Sequence, residues 1–363
     1  MKYKIMGNIV EINISDDELN RIAQKELEIY QSMENERPDI KVSVVDKIIT
    51  DSKYSNNPKI HKTFKNAFLV NLGYSKILYK LEDKLEIFVE IDKRKNYLNK
   101  FISMGYRYNY ENIGQILHEL VFVPANFFQD SKSIVHASAM KNKDKNKTIM
   151  IGGTGGVGKT SLELMLCRDL EFSFIADDIA IVDNKGYVYP NLSFPKIYAY
   201  NVHNNSNLKK TIFSNRSFLD KFQWAFIKKF RGTNRVRRAV SPYLLFKNVE
   251  TEVNKIDKYY ILFMTNGVND ITIDTIDSIL ASELSFKIIR NEYSALFQHF
   301  IWHEYNCKLQ GYKPLITMDE ITTKWTTLYN QIFSKIQCHV VKIPGAISHE
   351  EFLDRMKIIL NNN

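Results

Sequence analysis

Three cysteines in 363 residues, Cys167, Cys307 and Cys338, stand in no CxxC or Cys/His spacing, which argues against a zinc site and a disulfide framework. Cys167 is most simply a small core residue. The longest apolar stretch, YYILFM, is far short of the roughly 20 residues a membrane-spanning helix requires. The first residues, MKYKIMGNIVEINI, alternate like a strand and lack the apolar centre of a signal peptide. A cytoplasmic chain with no membrane partner is therefore expected. No RNA- or DNA-binding motif is present, and the guanine-reading N-K-x-D is missing; TNGVND does not fit it. The formal charge of +9 thus points to no nucleic-acid partner, because Lys, Asn and Ile are abundant along the whole chain. Internal repeats are absent too.

What is present is concentrated in one run, IMIGGTGGVGKTSL. Gly153, Gly158, Lys159 and Thr160 fit G-x-x-x-x-G-K-[ST], with Gly155 and Gly156 inside the loop. Backbone N–H groups hold a phosphate chain best where residues without a Cβ allow close approach. The apolar strand TIMIG precedes the loop, and an apolar-periodic helix follows whose N-terminal partial charge favours an anion. Residues Gly153, Thr154, Gly155, Gly156, Val157, Gly158, Lys159, Thr160 and Ser161 are the candidate ATP-binding set. Lys159 is expected to reach the β/γ-phosphates, with the Thr160 hydroxyl on Mg²⁺.

Asp177 and Asp178 follow in FIADDIAIV, eighteen residues after Lys159. Ordinary P-loop switches and motors need a longer excursion before their metal-binding Asp. IAIVDNKGYVYP then reads as two strands joined by Asn184-Lys185-Gly186. Upstream, SIVHASAM, KNKDKNK and TIMIGG form a second hairpin pattern that brings His136 toward Asp178. A lone histidine in an apolar strand is commonly a packed core residue, so both readings of His136 stay open. Hairpins on both sides of the loop argue for an α/β (α+β) fold with the P-loop in a mixed or antiparallel sheet.

HASA, GTGGVGKT and ADD together resemble the HPr kinase/phosphorylase-like family, whose fold is akin to that of phosphoenolpyruvate carboxykinases. The resemblance implies a His before the P-loop strand, here His136, and an Asp pair whose second member, Asp178, takes a proton from a serine hydroxyl. RVRRAVSPYLLF and CHVVKIPG also look like segments of biosynthetic-cluster members of the group. The likeness runs from about residue 134 to the C-terminus. The glycine-rich signature linked to dephosphorylation has no counterpart, and the first 120 or so residues are unlike those enzymes' N-terminal domain. A one-way tailoring kinase is closer than an HPr kinase/phosphorylase.

Two domains are expected, an N-terminal α+β domain over 1–125 and a kinase domain over 126–363. Strands are expected near Tyr3–Ile14, Ala67–Val70 and Leu85–Glu90, with a helix over roughly Asp16–Met33 and a polar spacer, DSKYSNNPKIHK. His118 reads as packing, and so does the Phe286, Tyr293, Phe297 and Phe300 stripe. Ser348 and Glu351 form a capping box for a final helix presenting Phe352, Met356, Ile359 and Leu360. From Lys209 to Arg238 there are ten basic residues and one acid, Asp220. Arg231, Arg235, Arg237 and Arg238 in this stretch are candidate substrate or phosphate ligands, with a solvated basic face as the plain alternative.

The expected activity is transfer of the ATP γ-phosphoryl group to a serine-type hydroxyl of a peptide or small metabolite. Asp178, His136 and Lys159 are the catalytic candidates, and Thr160 and Asp177 the metal ligands. The Asp pair serving wholly as a metal clamp is the alternative assignment. The alternative function is a nucleotide-driven ATPase or a regulatory binding protein. Self-association is left open.

Overall fold

The computed structural model describes residues 1–50, 53–202 and 205–362. The chain divides into two compact units, each assembled from three segments. Unit 1 takes Met1–Phe128, Ser193–Leu245 and Ala295–Met318; unit 2 takes Gln129–Leu192, Phe246–Ser294 and Asp319–Asn363. The first segment of unit 1 ends at Phe128, and the rest of the chain does not stay in one body. Two later excursions return to unit 1, because Ser193–Leu245 and Ala295–Met318 pack there.

Unit 1 is built on a seven-stranded sheet of β1 (Lys2–Ile5), β2 (Asn8–Ile14), β3 (Ile40–Val45), β4 (His61–Phe64), β5 (Ala67–Asn71), β6 (Ser75–Leu81) and β7 (Leu85–Ile91). Their spatial order is β1-β2-β3-β7-β6-β5-β4, with β3 parallel to both β2 and β7 and every other pair antiparallel. The alternation in β7 is strict: Leu85, Ile87, Val89 and Ile91 are buried while the residues between them are partly wet. Helix Asp17–Leu27 starts where the Asp16 carboxylate accepts the Leu19 N–H at 2.8 Å. It ends short of the expected Met33.

The core face of this sheet packs on aromatic helices. Phe68 meets Phe300 edge-on at 5.6 Å, and Phe127 meets Phe297 in the same manner at 5.4 Å. Phe297 and Phe300 are therefore core, as their pattern suggested, while Phe286 and Tyr293 are only half-buried. His118 is packing as well: its Nδ1–H donates to Gly114 O (2.7 Å) and its Nε2 accepts from the Tyr30 hydroxyl (3.0 Å). Asp51 and Ser52 of the expected polar spacer lie outside the described residues.

The remaining strands are, in chain order, β8 (Lys132–Val135), β9 (Ala137–Asn142), β10 (Lys147–Gly153), β11 (Phe172–Ala176), β12 (Ala180–Asp183) and β13 (Tyr187–Tyr189). They continue with β14 (Lys196–Tyr198), β15 (Arg237–Ala239), β16 (Asn254–Lys255), β17 (Lys258–Thr265), β18 (Thr272–Ile276) and β19 (Gln337–Pro344). Strands β14 and β15 form a small antiparallel ribbon in unit 1. Unit 2 holds a six-stranded mixed sheet, β11-β9-β10-β17-β19-β18, and a four-stranded antiparallel one, β16-β13-β12-β8. Both expected hairpins are present: β9 with β10, and β12 with β13. Strand β10 is antiparallel to β9 and parallel to β17, so the glycine-rich loop leaves a mixed sheet. Among the described residues, no helix is long and apolar enough to cross a membrane.

Candidate functional site

Two neighbouring chain segments pass between the six-stranded and the four-stranded sheets of unit 2, and the site forms where they do. On one segment β8 ends at Val135 and β9 begins at Ala137. On the other β11 ends at Ala176 and β12 begins at Ala180. Val135 pairs with Ala180 in one ladder, and Ala139 with Ala176 in the other. His136 and the run Asp177–Ile179 fall in the gap, where backbone pairing is broken and side chains are free to converge. The same end of the sheet carries the exit of β10 into the loop, since β9 runs antiparallel to β10 and to β11.

The Asp pair sits on a strained turn. Asp178 has φ +59°, and the Ile179 N–H bonds back to Asp177 O at 2.6 Å, closing a three-residue turn around Asp178. A γ-turn with positive φ at a non-glycine residue is rare and costs on the order of 1–3 kcal/mol, so the surroundings must enforce it. Asn191 does so. Its backbone N–H bonds Ile175 O (3.0 Å) on one side of the turn, and its Nδ2 bonds Ile179 O (2.9 Å) on the other.

The loop is shaped by steric limits at both ends. Gly153 has φ +135° and Gly158 φ +103°, and a Cβ on Gly158 would lie 2.7 Å from Cε1 of Phe352. Phe352 belongs to the final helix, His349–Asn362, where Ser348 Oγ accepts the Glu351 N–H (3.1 Å) and Phe352, Met356 and Leu360 are buried. Between these ends Gly155 and Gly156 face open space. A backbone of this form presents a cradle without side-chain obstruction.

Lys159 opens the helix Lys159–Leu164 and is only 5% exposed. Its ammonium donates to Gly153 O (3.0 Å), Thr154 O (3.0 Å) and His136 Nε2 (2.9 Å). Burial lowers the Lys159 pKa, against the attraction of Asp178, Asp177 and Glu292. Burial and the Lys159 charge likewise push His136 down to about 4, with Asp178 pulling the other way. His136 is thus neutral at pH 7. Because an ammonium can only donate, Nε2 is the acceptor and the ring proton sits on Nδ1, which is buried without a hydrogen-bond partner. Glu292 Oε1 stands 4.0 Å from Nε2.

Glu163 was not singled out by the sequence reading and is the most unusual group in the site. It lies one helical turn beyond Lys159, on the same face, and is fully buried. Neither carboxyl oxygen has a hydrogen bond of normal geometry, although Ser138 and Asp177 lie beside it. Desolvation, then the Asp177 charge, raise its pKa well above the ordinary value, which favours the neutral carboxyl. A charged residue on the inward face of the apolar helix TSLELMLC was the signal that could have found it. Thr160 is half-buried and Ser161 buried at the start of this helix, with Val157 buried just before it.

The four candidate arginines belong to unit 1 and fare differently. Arg238 is fully buried, donating to Asp220 Oδ1 (2.6 Å), Gln223 Oε1 (2.6 Å) and Met104 O (3.0 Å). Its guanidinium fastens the ribbon to helix Phe218–Arg231, which is a core duty rather than the open phosphate contact expected of it. Arg237 is half-buried and donates to Tyr198 Oη at 2.7 Å. Arg231 and Arg235 are exposed. No family model matches this chain, and no curated protein matches it either.

Proposed function

We propose that this chain is an ATP-dependent kinase of the HPr kinase/phosphorylase-like type, with a phosphoenolpyruvate carboxykinase-like core in unit 2. The observation that carries the reading is the convergence of Lys159, neutral His136 and the strained Asp177–Asp178 turn at the mouth of the loop. The open faces of Gly155 and Gly156 suit a phosphate chain. No group of three or more His, Cys, Asp or Glu residues among the described ones can hold a metal by itself. Mg²⁺ takes one or two protein oxygens and completes its shell with phosphates and water. Thr160 and Asp177 would hold it, and when bound it offsets phosphate charge.

In this reading Lys159 leaves the loop carbonyls for the β/γ-phosphates, a short move for an ammonium on a four-carbon stem. Asp178, half-buried on its strained turn, accepts the proton of the attacking hydroxyl. His136 keeps a lone pair toward Lys159 and so steadies the cation without competing for the proton. Loop amides and Lys159 spread charge over the transferred group.

Calorimetry with Mg-ATP and a phosphoryl-transfer assay test this together. Lys159→Ala abolishes transfer, and Asp178→Asn retains Mg-ATP binding while transfer falls by roughly 10²–10⁴-fold, the usual worth of a positioned base. Unchanged ATP affinity and turnover in Lys159→Ala would overturn the nucleotide reading. ATP hydrolysis at full rate in Asp178→Asn, with no acceptor needed, would favour a nucleotide-driven ATPase instead.

A further inference from the structure

A sheet with one face on the core ordinarily turns polar residues to water on the other. The seven-stranded sheet of unit 1 departs from this. Its core face carries Val42, Val44, Ile77, Tyr79, Ile87 and Val89, none more than 2% exposed. On the opposite face Leu78 of β6 stands across from Phe88 of β7 and from Leu69 of β5, and Ala67 stands across from Phe64 of β4. These side chains form a second apolar cluster, joined by Ile48 from the segment after β3.

Beside that cluster opens a cavity of about 490 Å³. Pockets of this size accept small organic ligands. Its floor includes Phe64, Leu78 and Phe88, and its lining includes Lys47, Lys65, Lys80 and Glu82. Glu82 is matched by Lys80 at 2.9 Å, and the remaining charge of the lining is that of Lys65 and of Lys47, which also feels Glu90. Ile49 borders the same cavity and is 92% exposed, an aliphatic side chain with its surface in water. An apolar floor, a cationic mouth and an uncovered isoleucine together describe a site for a molecule with an alkyl chain and an anionic head.

We propose that this cavity binds a single-chain anionic amphiphile, its alkyl chain on the Phe64–Leu78–Phe88 floor and its carboxylate or phosphate toward Lys47 and Lys65. Ile49 folds over the chain and loses its exposed surface. Every residue involved lies in unit 1, so the inference stands or falls apart from phosphoryl transfer.

The test is titration calorimetry of the full-length protein with dodecanoate and with dodecyltrimethylammonium, both below their micelle concentrations. Dodecanoate binds saturably at one site, and the cationic chain binds at least about tenfold more weakly, a difference of roughly 1.4 kcal/mol. Lys47→Glu with Lys65→Glu, both exposed positions that leave the fold intact, removes that preference. Ala67→Trp fills the cavity and abolishes binding, with thermal unfolding as the check that the variant is folded. Equal affinity for the two chains, an unchanged preference in the double lysine variant, or no saturable heat with dodecanoate would each overturn the proposal.

Discussion

Both units bury histidines, and they treat them in opposite ways. In unit 1, His61, His299 and His303 lie in a chain of hydrogen bonds with Thr63. The Leu315 N–H donates to His303 Nε2 (3.1 Å), which leaves the His303 proton on Nδ1 facing Thr63 Oγ1 (3.4 Å). Thr63 can then donate to His61 Nε2 (2.8 Å), and His61 Nδ1–H to His299 Nδ1 (2.9 Å). One direction of donation serves all four of these contacts with neutral rings. Unit 2 holds the contrary case: His136 Nδ1 and both Glu163 oxygens are buried without partners, beside an ammonium and two carboxylates. A closed network of this kind holds a fold together. Polar groups left unmatched under an open glycine cradle cost stability, and they persist where a bound ligand can complete them.

Breaking a satisfied network in unit 1 produces the largest expected loss of stability. Arg238→Ala leaves the buried Asp220 carboxylate with Arg216 (3.1 Å) as its one remaining cation. The cost is about 3–5 kcal/mol in denaturant unfolding, the usual penalty for opening a buried pair from one side. A loss below about 1 kcal/mol would mean that the guanidinium is replaceable by water there.

Acid separates the units next. Burial lowers His61 to about 3 and His118, His299 and His303 to about 4, all below the ordinary 6.5. Because the folded rings resist protonation, their contribution is fully present above pH 6.5 and is lost as pH falls toward 4. At pH 5 each independent ring forfeits up to about 2 kcal/mol, and with four such rings in unit 1 against His136 and His339 in unit 2, unit 1 unfolds before unit 2 in an acid titration. Hydrogen exchange followed from pH 7 to pH 4.5 reads this directly, and faster exchange of unit 2 amides first would contradict it.

A smaller effect is expected where the two ends of the loop are confined. Gly158→Ala must hold φ near +103° and displace Phe352, at roughly 1–3 kcal/mol. Adding Phe352→Leu should recover the steric part and leave the backbone part, which a double-mutant cycle separates. Full additivity would show that Phe352 does not limit the loop.

The smallest change is a gain. The raised Glu163 pKa means that its favourable, protonated state is lost as pH rises, the reverse of the histidines. Glu163→Gln keeps the shape without the charge, so in metal-free buffer its melting temperature should exceed the parent's by more at pH 8 than at pH 5. The difference should lie at the low end of the ~1–3 kcal/mol carried by an unmatched buried polar group. A constant difference across pH would mean that Glu163 does not ionise.

Much was legible in order along the chain. The β9–β10 and β12–β13 hairpins, the strand–loop–helix around Gly153–Thr160 and the capped final helix all rest on periods and turn residues a few positions apart. Strand β3, IKVSVV, was passed over although it alternates, and its place between β2 and β7 is set by parallel pairing across distant segments. The role of Arg238 was not legible, because a basic run looks the same whether its members face water or Asp220. The return of Ser193–Leu245 and Ala295–Met318 to unit 1 was equally hidden, since no local pattern records which core a helix face will join.

By itself the sequence determined what its short-range chemistry can enforce: where backbone must turn through positive φ, which helix carries Lys159, and which residues are available to meet a phosphate. Only the tertiary structure decided that His136 meets Lys159, that Glu163 is sealed beside Asp177, and that Asn191 holds Asp178 in its strained turn. Those outcomes follow from two strands leaving one sheet for another at the same level, and desolvation and charge proximity are properties of that place.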